Sequence, residues 1–374
     1  MVDVVLFEIP TMRFTLKSAT LLLGSWFLMA SSPATAEPLT SIFHDDLGFS
    51  HTREYTLIGS NIYSYLLAPP SNTTTATHSG TIVLLHGFPD LSYGWRYQIP
   101  YLTSLGYQVI APDMLGYGRS SAPHNLDKFS LRHMSNDLAT LIRRVVGRHE
   151  QVILGGHDWG GAMVYRAALW HPDLYRGIFS VCTPYFPPVT EYVDLKDQIE
   201  AGITPTFGYQ LQLRDPATDA RVRGADKIRQ VLLALYGGTT PEGEMGFDSH
   251  TGLIWENLPQ LGASPLVSGD DMKYYVREYL KNTMRGPLSW YRTAKINFDD
   301  ELPLATAGDV TFPMPGLYIG ATMDTALPPE MSEGMEVYFD RGLTRGLVNS
   351  SHWALWQGAK GVNGIVGEWL SGLE

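Results

Sequence analysis

The chain has 374 residues, of which 44% are hydrophobic and 17% are charged, and its formal net charge at pH 7 is −11. This composition is typical of a globular protein with a substantial core and argues against intrinsic disorder. The acidic balance, without a cluster of Lys and Arg, excludes a nucleic-acid-binding surface, because phosphate binding requires such clusters. The length, well beyond the ~150 residues of an average domain, indicates one large sheet domain or a core with an inserted unit.

Residues 1–36 have the pattern of a secretory signal peptide. A short basic region precedes the apolar stretch 18–30, and Ala34-Thr35-Ala36 offers a cleavage site of small residues. The apolar stretch is shorter than the ~20 residues that cross a bilayer, so we expect no stable membrane anchor. We therefore expect cleavage near Ala36 and secretion, with either Met1 or Met12 as the start of translation.

The cysteine and glycosylation patterns are compatible with export. Cys182 is the only cysteine, so no intramolecular disulfide can form, and its apolar surroundings predict a buried, inert thiol. Two glycosylation sequons begin at Asn72 and Asn349. Asn72 lies in a polar loop and is the expected site, whereas Asn349 lies close to a candidate catalytic histidine. His and Cys do not occur at the spacing of metal ligands, so we expect no metal.

Short apolar runs predict a sheet whose strands are joined by helices, so the fold class is α/β with a mostly parallel central sheet flanked by helices. An antiparallel pair at residues 54–57 and 62–68 begins the sheet. The buried strands are predicted at residues 81–85, 108–112, 151–155 and 177–182, and the pattern resumes at 317–320 and 346–348.

The interruption of the strand pattern predicts an inserted, mainly helical lid. Residues 186–304 contain helical patterns, such as 226–236 and 272–284, but no strand of comparable quality. An insertion of ~120 residues is too long for an unstructured loop. A final helix is predicted at residues 362–370. The expected organisation is signal peptide 1–36, first part of the core 37–185, lid 186–304 and second part of the core 305–374.

The strongest motif is a turn between a strand and a helix. The strand 151–155 continues into Gly156-His-Asp-Trp-Gly-Gly161, and a helical pattern follows through Trp170. In hydrolases with this turn, the central residue is the nucleophile and the glycines prevent collisions. The alternative is a Gly-rich turn whose aspartate caps the helix. As a nucleophile, the carboxylate of Asp158 can attack saturated carbon without a base and would form an ester.

Hydrolysis of such an ester requires a base, an acid that orients it, and oxyanion donors. His352 follows the final strand, and Asp324 follows the strand 317–320, which gives the order nucleophile, acid, histidine. Asp324 is predicted to orient His352 and to stabilise its protonated form. The backbone N–H groups of Phe88 and Trp159 are the predicted oxyanion donors. A solvated loop residue or a plain turn is the alternative for each of these positions taken singly.

Over residues 45–372 the sequence resembles the epoxide hydrolases of the α/β-hydrolase fold. The resemblance rests on His86-Gly-Phe-Pro89, Gly116-Tyr-Gly-Arg-Ser120 and Gly156-His-Asp-Trp-Gly-Gly161, and on His352-Trp353 together with Asp324. It implies an α/β-hydrolase fold with a lid, a small-molecule epoxide and water as substrates, and no cofactor.

The family also carries two lid tyrosines that hold the epoxide oxygen and donate a proton to it. The resemblance assigns these roles to Tyr209 and, with a closer match, to Tyr291; ordinary lid packing is the alternative for either. Phe88, Trp159 and Trp290 are expected to line the substrate pocket. The sequence departs from the family at residues 212–216, so it leaves the choice of epoxide open.

Two other functions compete with the opening of an epoxide to a vicinal diol. A haloalkane or haloacid dehalogenase shares the fold and the aspartate nucleophile, and Trp159 could contribute to a halide site. Phe88, however, offers no polar side chain there, and the matched tyrosines favour the epoxide. A hydrolase-like protein that binds a ligand without turnover is the non-enzymatic alternative. It is disfavoured because all five predicted catalytic positions are filled. Stereochemistry, oligomeric state and physiological role are not readable from the sequence.

Overall fold

Apolar runs along the chain form the strands of a central sheet, and two short strands form a separate hairpin. The computed structural model describes residues 47–71 and 79–373, so the predicted signal peptide and Asn72 lie outside the described residues. The strands are β1 Thr52–Ile58, β2 Asn61–Ala68, β3 Thr81–Leu85, β4 Gln108–Pro112, β5 Val152–His157, β6 Tyr175–Val181, β7 Phe247–Asp248, β8 Gly252–Leu253, β9 Gly316–Ala321 and β10 Leu343–Val348.

Eight of these strands form a single sheet in the order β1-β2-β4-β3-β5-β6-β9-β10. β2 is antiparallel to both of its neighbours, and every other pair in this sheet is parallel. The central strands β3 and β5 are buried along their whole length, as expected for parallel strands that are covered on both faces. The carboxyl ends of β3, β5 and β9 therefore open onto the same edge of the sheet.

Helices cover the sheet and form the lid. They are α1 Gln98–Ser104, α2 Leu131–Val145, α3 Trp159–Trp170, α4 Leu195–Glu200, α5 Gly208–Arg214, α6 Pro216–Arg221, α7 Ala225–Leu235, α8 Gly269–Asn282, α9 Arg285–Ser289, α10 Ala294–Ala307, α11 Ala354–Gln357 and α12 Ala359–Ser371. The elements α4 to α10, together with the small hairpin β7–β8, lie between β6 and β9 in the chain. Among the described residues, no helix is both long enough and apolar enough to cross a bilayer.

The predicted α/β fold with a parallel sheet is confirmed, and the differences are local. β3 and β4 have the predicted bounds, whereas β5 extends to His157 and so reaches the residue before Asp158. β10 begins earlier than predicted, because it is an edge strand whose several exposed residues weaken the apolar pattern. The predicted lid boundary at residue 304 falls inside α10, which continues through Pro303 to Ala307.

A buried ion pair connects the lid to the core. Arg119 lies in the loop after β4, and its Nε and Nη2 donate to the two carboxylate oxygens of Glu278 on α8, at 3.0 and 3.2 Å. The side chains of Arg119 and Glu278 are only 13% and 1% exposed. Glu278 also pairs with Arg277 and Lys281 on α8, at 3.1 and 3.4 Å, so the loss of this buried carboxylate breaks three ion pairs at once and is costly.

We expect Glu278→Ala to lower the free energy of unfolding by about 3 kcal/mol, because the variant removes a buried carboxylate that pairs with Arg119 and with two cations of α8. Urea unfolding followed by circular dichroism measures this loss. The matched control on the same helix is Asp270→Ala, which removes an exposed ion pair with Lys273 and should have no measurable effect. Equal unfolding midpoints for the two variants would show that the buried pair does not stabilise the lid.

Candidate active site

Asp158 occupies a strained turn between β5 and α3. Its φ of +54° and ψ of −126° are unfavourable for a residue with a side chain. A Cβ atom at Gly156 would lie 2.2 Å from the Gly160 carbonyl oxygen, and one at Gly160 would lie 2.0 Å from the Leu85 carbonyl oxygen. Glycine is thus required on both sides. The Asp158 side chain makes no capping hydrogen bond to α3, so the alternative of a helix-capping aspartate is not observed.

The Asp158 carboxylate instead faces the loop that follows β3. Its Oδ1 accepts a hydrogen bond from the Phe88 backbone N–H at 2.7 Å, and the neighbouring Trp159 backbone N–H also favours the charged form of the carboxylate. The loop approaches closely because Gly87 has no side chain: a Cβ atom there would lie 2.3 Å from Asp158 Oδ1. The structure therefore places the predicted Phe88 donor on the candidate nucleophile, with the Trp159 amide next to it in the chain.

His352 lies between the two aspartates. Its Nδ1 is 2.7 Å from Asp324 Oδ2, and its Nε2 is 3.6 Å from Asp158 Oδ2. The other oxygen of Asp324 accepts the backbone N–H groups of Ala326 and Leu327, each at 2.9 Å. The three predicted triad residues come from the ends of β5, β9 and β10, and the sheet brings them together.

Charge within the triad is set by burial and by pairing. Burial alone would lower the pKa of His352, but the charge and hydrogen bond of Asp324 and the charge of Asp158 outweigh it and raise that pKa to about 9. Burial raises the pKa of Asp158, and the His352 charge and the Phe88 and Trp159 amides oppose this rise. The pKa of Asp324 is lowered, since His352 and the two amides outweigh its burial. At neutral pH an imidazolium thus faces the nucleophile.

A cavity of about 260 Å³ lies above the nucleophile, between the sheet edge and the lid. Asp158, His352 and Phe88 contribute to its wall from the core, and Tyr209 and Tyr291 contribute from the lid. Thr325, Ser351 and Gln357 add polar groups to the wall. The other lining residues are apolar: Pro89, Ala234, Leu235, Gly237, Met245, Phe247, Pro265, Leu266, Met323, Ala326 and Trp353. The cavity therefore suits an apolar ligand that meets few polar groups.

The two predicted lid tyrosines lie side by side in this cavity. The ring centroids of Tyr209 and Tyr291 are 6.1 Å apart, and the Tyr291 ring packs edge-on against Phe88 and Trp159. Burial, and after it the neighbouring negative charges that include Asp158, raises the pKa of both phenols well above the usual value. Both phenols therefore carry a proton that can be donated.

Trp159 and Trp290, which were predicted to line the substrate pocket, are absent from the wall of this cavity. Both indoles line a second cavity of about 460 Å³, which shares only Tyr291 with the first among the described residues. Trp159 begins α3, and its ring packs at 6.0 Å from that of Trp290. Trp290 is held by a hydrogen bond from its Nε1 to the Leu115 carbonyl. Trp159 thus reaches the nucleophile through its backbone only, whereas Phe88 lines the cavity as expected.

Sequence reasoning missed a support beneath His352. His157 Nε2 lies 2.8 Å from the His352 carbonyl oxygen, and the Cys182 thiol donates to the same oxygen at 3.4 Å. Burial, and then the His352 charge, lowers the pKa of His157 to about 3, so its ring is neutral. Potential ligand atoms of His157, Cys182 and His352 lie within 4.8 Å of one another, which sequence spacing did not indicate. The side chains of His157 and Cys182 thus hold the backbone of His352 by hydrogen bonds. Cys182 is buried, as predicted.

Known proteins with similar sequences and structures are hydrolases, in agreement with this geometry. The fold and the buried Asp-His-Asp triad define a hydrolase of the α/β class, and residues 80–359 match the family described as the alpha/beta hydrolase fold. The chain is 44% identical over 327 residues to epoxide hydrolase srdG of Neurospora crassa, with 85% of this chain and 95% of that protein covered. The chain therefore belongs to the epoxide hydrolase family of the α/β-hydrolase fold.

More distant relatives agree. The chain is 32% identical over 318 residues to bifunctional epoxide hydrolase 2 of Sus scrofa, with 82% of this chain covered, and it spans 55% of that longer protein. The crystal structure of epoxide hydrolase A from Mycobacterium thermoresistibile matches with a TM-score of 0.71 at 24% identity, over 87% of this chain and 99% of that one. This structural match supports the fold.

We expect Asp324→Asn to lower the pKa of His352 from about 9, by roughly 1 to 3 units, because the neutral amide no longer stabilises the imidazolium. The titration of the ring by ¹⁵N NMR measures this change, with His352→Gln used to assign the signal. Asp248→Asn is the control, since Asp248 is an exposed aspartate beside another histidine, His250. An unchanged pKa of His352 in Asp324→Asn would contradict the assigned pairing.

Proposed function

We propose that the protein hydrolyses an epoxide to a vicinal diol through a covalent ester on Asp158. One observation carries this proposal: a single apolar cavity is lined by a buried carboxylate and by two protonated phenols. A carboxylate is a nucleophile for saturated carbon, and an epoxide oxygen needs an acid as the ring opens. Membership of the epoxide hydrolase family supports the same reaction.

In the first step, an oxygen of Asp158 attacks one epoxide carbon. The bond between that carbon and the ring oxygen breaks, and the ring oxygen takes a proton from Tyr209 or Tyr291 while the other phenol donates a hydrogen bond to it. The product is a hydroxyalkyl ester on Asp158 and a phenolate that regains its proton from solvent. The reaction consumes the negative charge of Asp158, and this charge helps to keep the pKa of His352 high.

The loss of that charge prepares the second step. Without the Asp158 charge, the pKa of His352 falls from about 9, so the ring can release its proton and act as a base, while Asp324 continues to orient it. His352 then removes a proton from water, and the hydroxide attacks the Asp158 carbonyl carbon. The Phe88 and Trp159 amides stabilise the oxyanion. The bond between the Asp158 carbonyl carbon and the diol oxygen breaks, the diol oxygen takes the proton from His352, and Asp158 keeps the water oxygen. The second proton of that water passes from Asp158 to His352, which restores the carboxylate and the imidazolium.

The reaction is tested with a panel of aryl and aliphatic epoxides, beside chloroalkanes and bromoalkanes. We expect diol formation without release of halide. In a single turnover in H₂¹⁸O, peptide mass spectrometry should find ¹⁸O in Asp158, because water attacks the carbonyl carbon of the ester. His352→Gln should instead retain the alkyl group on Asp158. Diol formation with an unlabelled Asp158 would exclude the ester, and halide release without diol would make the protein a dehalogenase.

We also propose that the protein is secreted after removal of residues 1–36, as their basic, apolar and small-residue segments indicate. Expression of the full chain in a eukaryotic secretory host should place the protein in the medium with Glu37 at its amino terminus. Glycosidase treatment should reduce the mass of this protein, and Asn72→Gln should abolish the reduction. Protein that stays in the cells with residues 12–36 intact would refute the proposal.

A further inference from the structure

Three lid tyrosines bind the loop that carries the Phe88 oxyanion donor. We call residues 86–90, which follow β3, the oxyanion loop. Tyr236, at the end of α7, donates a hydrogen bond from its phenol to the Pro89 carbonyl. On α8, the Tyr279 phenol donates to the Asp90 carbonyl at 3.1 Å, and the Tyr275 phenol donates to Asp90 Oδ1 at 2.7 Å. The lid thus holds the two residues that follow Phe88 by three hydrogen bonds.

These bonds are shielded from water. Tyr236 and Tyr275 are 0% exposed and Tyr279 is 1% exposed. If the loop moved away from these phenols, its buried carbonyl groups would lose their hydrogen bonds without gaining any to water, which is costly. The phenols therefore hold the loop in one position. The rings also pack together, with Tyr236 and Tyr275 centroids 5.6 Å apart. The three phenols therefore form one rigid support for the loop.

The same end of α7 reaches the histidine side of the site. The Trp353 indole Nε1, in the residue after His352, donates to the Leu235 carbonyl at 2.8 Å. The rings of Trp353 and Tyr236 pack edge-on, with centroids 4.7 Å apart. Residues 235 and 236 of the lid are therefore in contact with both groups that act on the ester, the oxyanion loop and the segment that holds the base.

We infer that Tyr236, Tyr275 and Tyr279 are positioning residues, which act through the oxyanion loop on the Phe88 amide. The inference rests on the proposed ester mechanism and deepens it. A donor acts on a developing charge only if its position is fixed to within a fraction of an ångström. In the resting site this amide already lies 2.7 Å from Asp158 Oδ1. The lid sets that distance through the three phenols.

This role predicts that removal of the phenols affects the two chemical steps differently. In the first step the Asp158 carboxylate loses its charge, so a weaker bond from Phe88 does not slow the attack on the epoxide. In the second step the negative charge returns to the Asp158 carbonyl oxygen, and a misplaced amide stabilises it less well. Loss of the phenols should therefore slow hydrolysis of the ester and leave its formation unchanged or faster.

The test uses Tyr236→Phe, Tyr279→Phe and the double variant, which keep the rings and remove only the hydroxyl groups. With an epoxide that the wild type converts, quench-flow mass spectrometry measures formation and decay of the alkyl-enzyme separately. We expect decay to be about tenfold slower in the double variant, with part of the loss in each single variant. Because only the second step slows, the alkyl-enzyme accumulates at lower substrate concentration, and kcat and KM should fall together.

The matched control is Tyr185→Phe, which removes another buried phenol, one that donates to the Val310 carbonyl at 2.8 Å outside the oxyanion loop. It should leave both steps unchanged. A lower kcat with an unchanged KM in the Tyr236 and Tyr279 variants would indicate only a smaller folded fraction and would overturn the inference, as would a decay rate within twofold of the wild type. A wild type that forms diol without an alkyl-enzyme would refute the proposed mechanism, and the inference with it.

Discussion

The structure depends on keeping one carboxylate charged, reactive and buried. Burial disfavours the ionised form of Asp158, and an uncompensated charge at this depth would be very costly. Compensation comes from the Phe88 and Trp159 amides and from the His352 imidazolium. Each of these partners imposes a requirement on the fold. The amides require a close loop and a strained turn, and the imidazolium requires Asp324 behind it.

The same contacts serve two different states of the site. While Asp158 is free, the amides and the imidazolium stabilise its carboxylate. Once the carboxylate has become an ester, the charge that raised the pKa of His352 is gone, and the imidazole is released for use as a base. The amides then face the oxygen on which negative charge reappears. The alternation between the two steps follows from the charge of Asp158.

The sequence predicts best what depends on local pattern and chain order. The apolar runs at β3 and β4 predict the first and last residues of these strands correctly. The positions of Asp158, Asp324 and His352 at strand ends follow from the order of the elements. The direction in which a side chain points is harder to predict from the sequence. The indole of Trp290 does not line the cavity, and it donates a hydrogen bond to the carbonyl of Leu115, a residue 175 positions earlier in the chain.

Contacts made by packing over long distances in the chain were not predictable. The bond from His157 to the His352 carbonyl spans 195 positions, and the bond from Tyr275 to Asp90 spans 185. Tyr236, Tyr275 and Tyr279 give no signal in a chain with 20 tyrosines. Their position nevertheless links substrate fit to catalysis, because residues 234 and 235 line the cavity and Tyr236 holds the oxyanion loop. With Tyr236 as a positioning residue, we expect a change in the lid that reshapes the cavity at this point to alter the rate of ester hydrolysis as well as the choice of substrate.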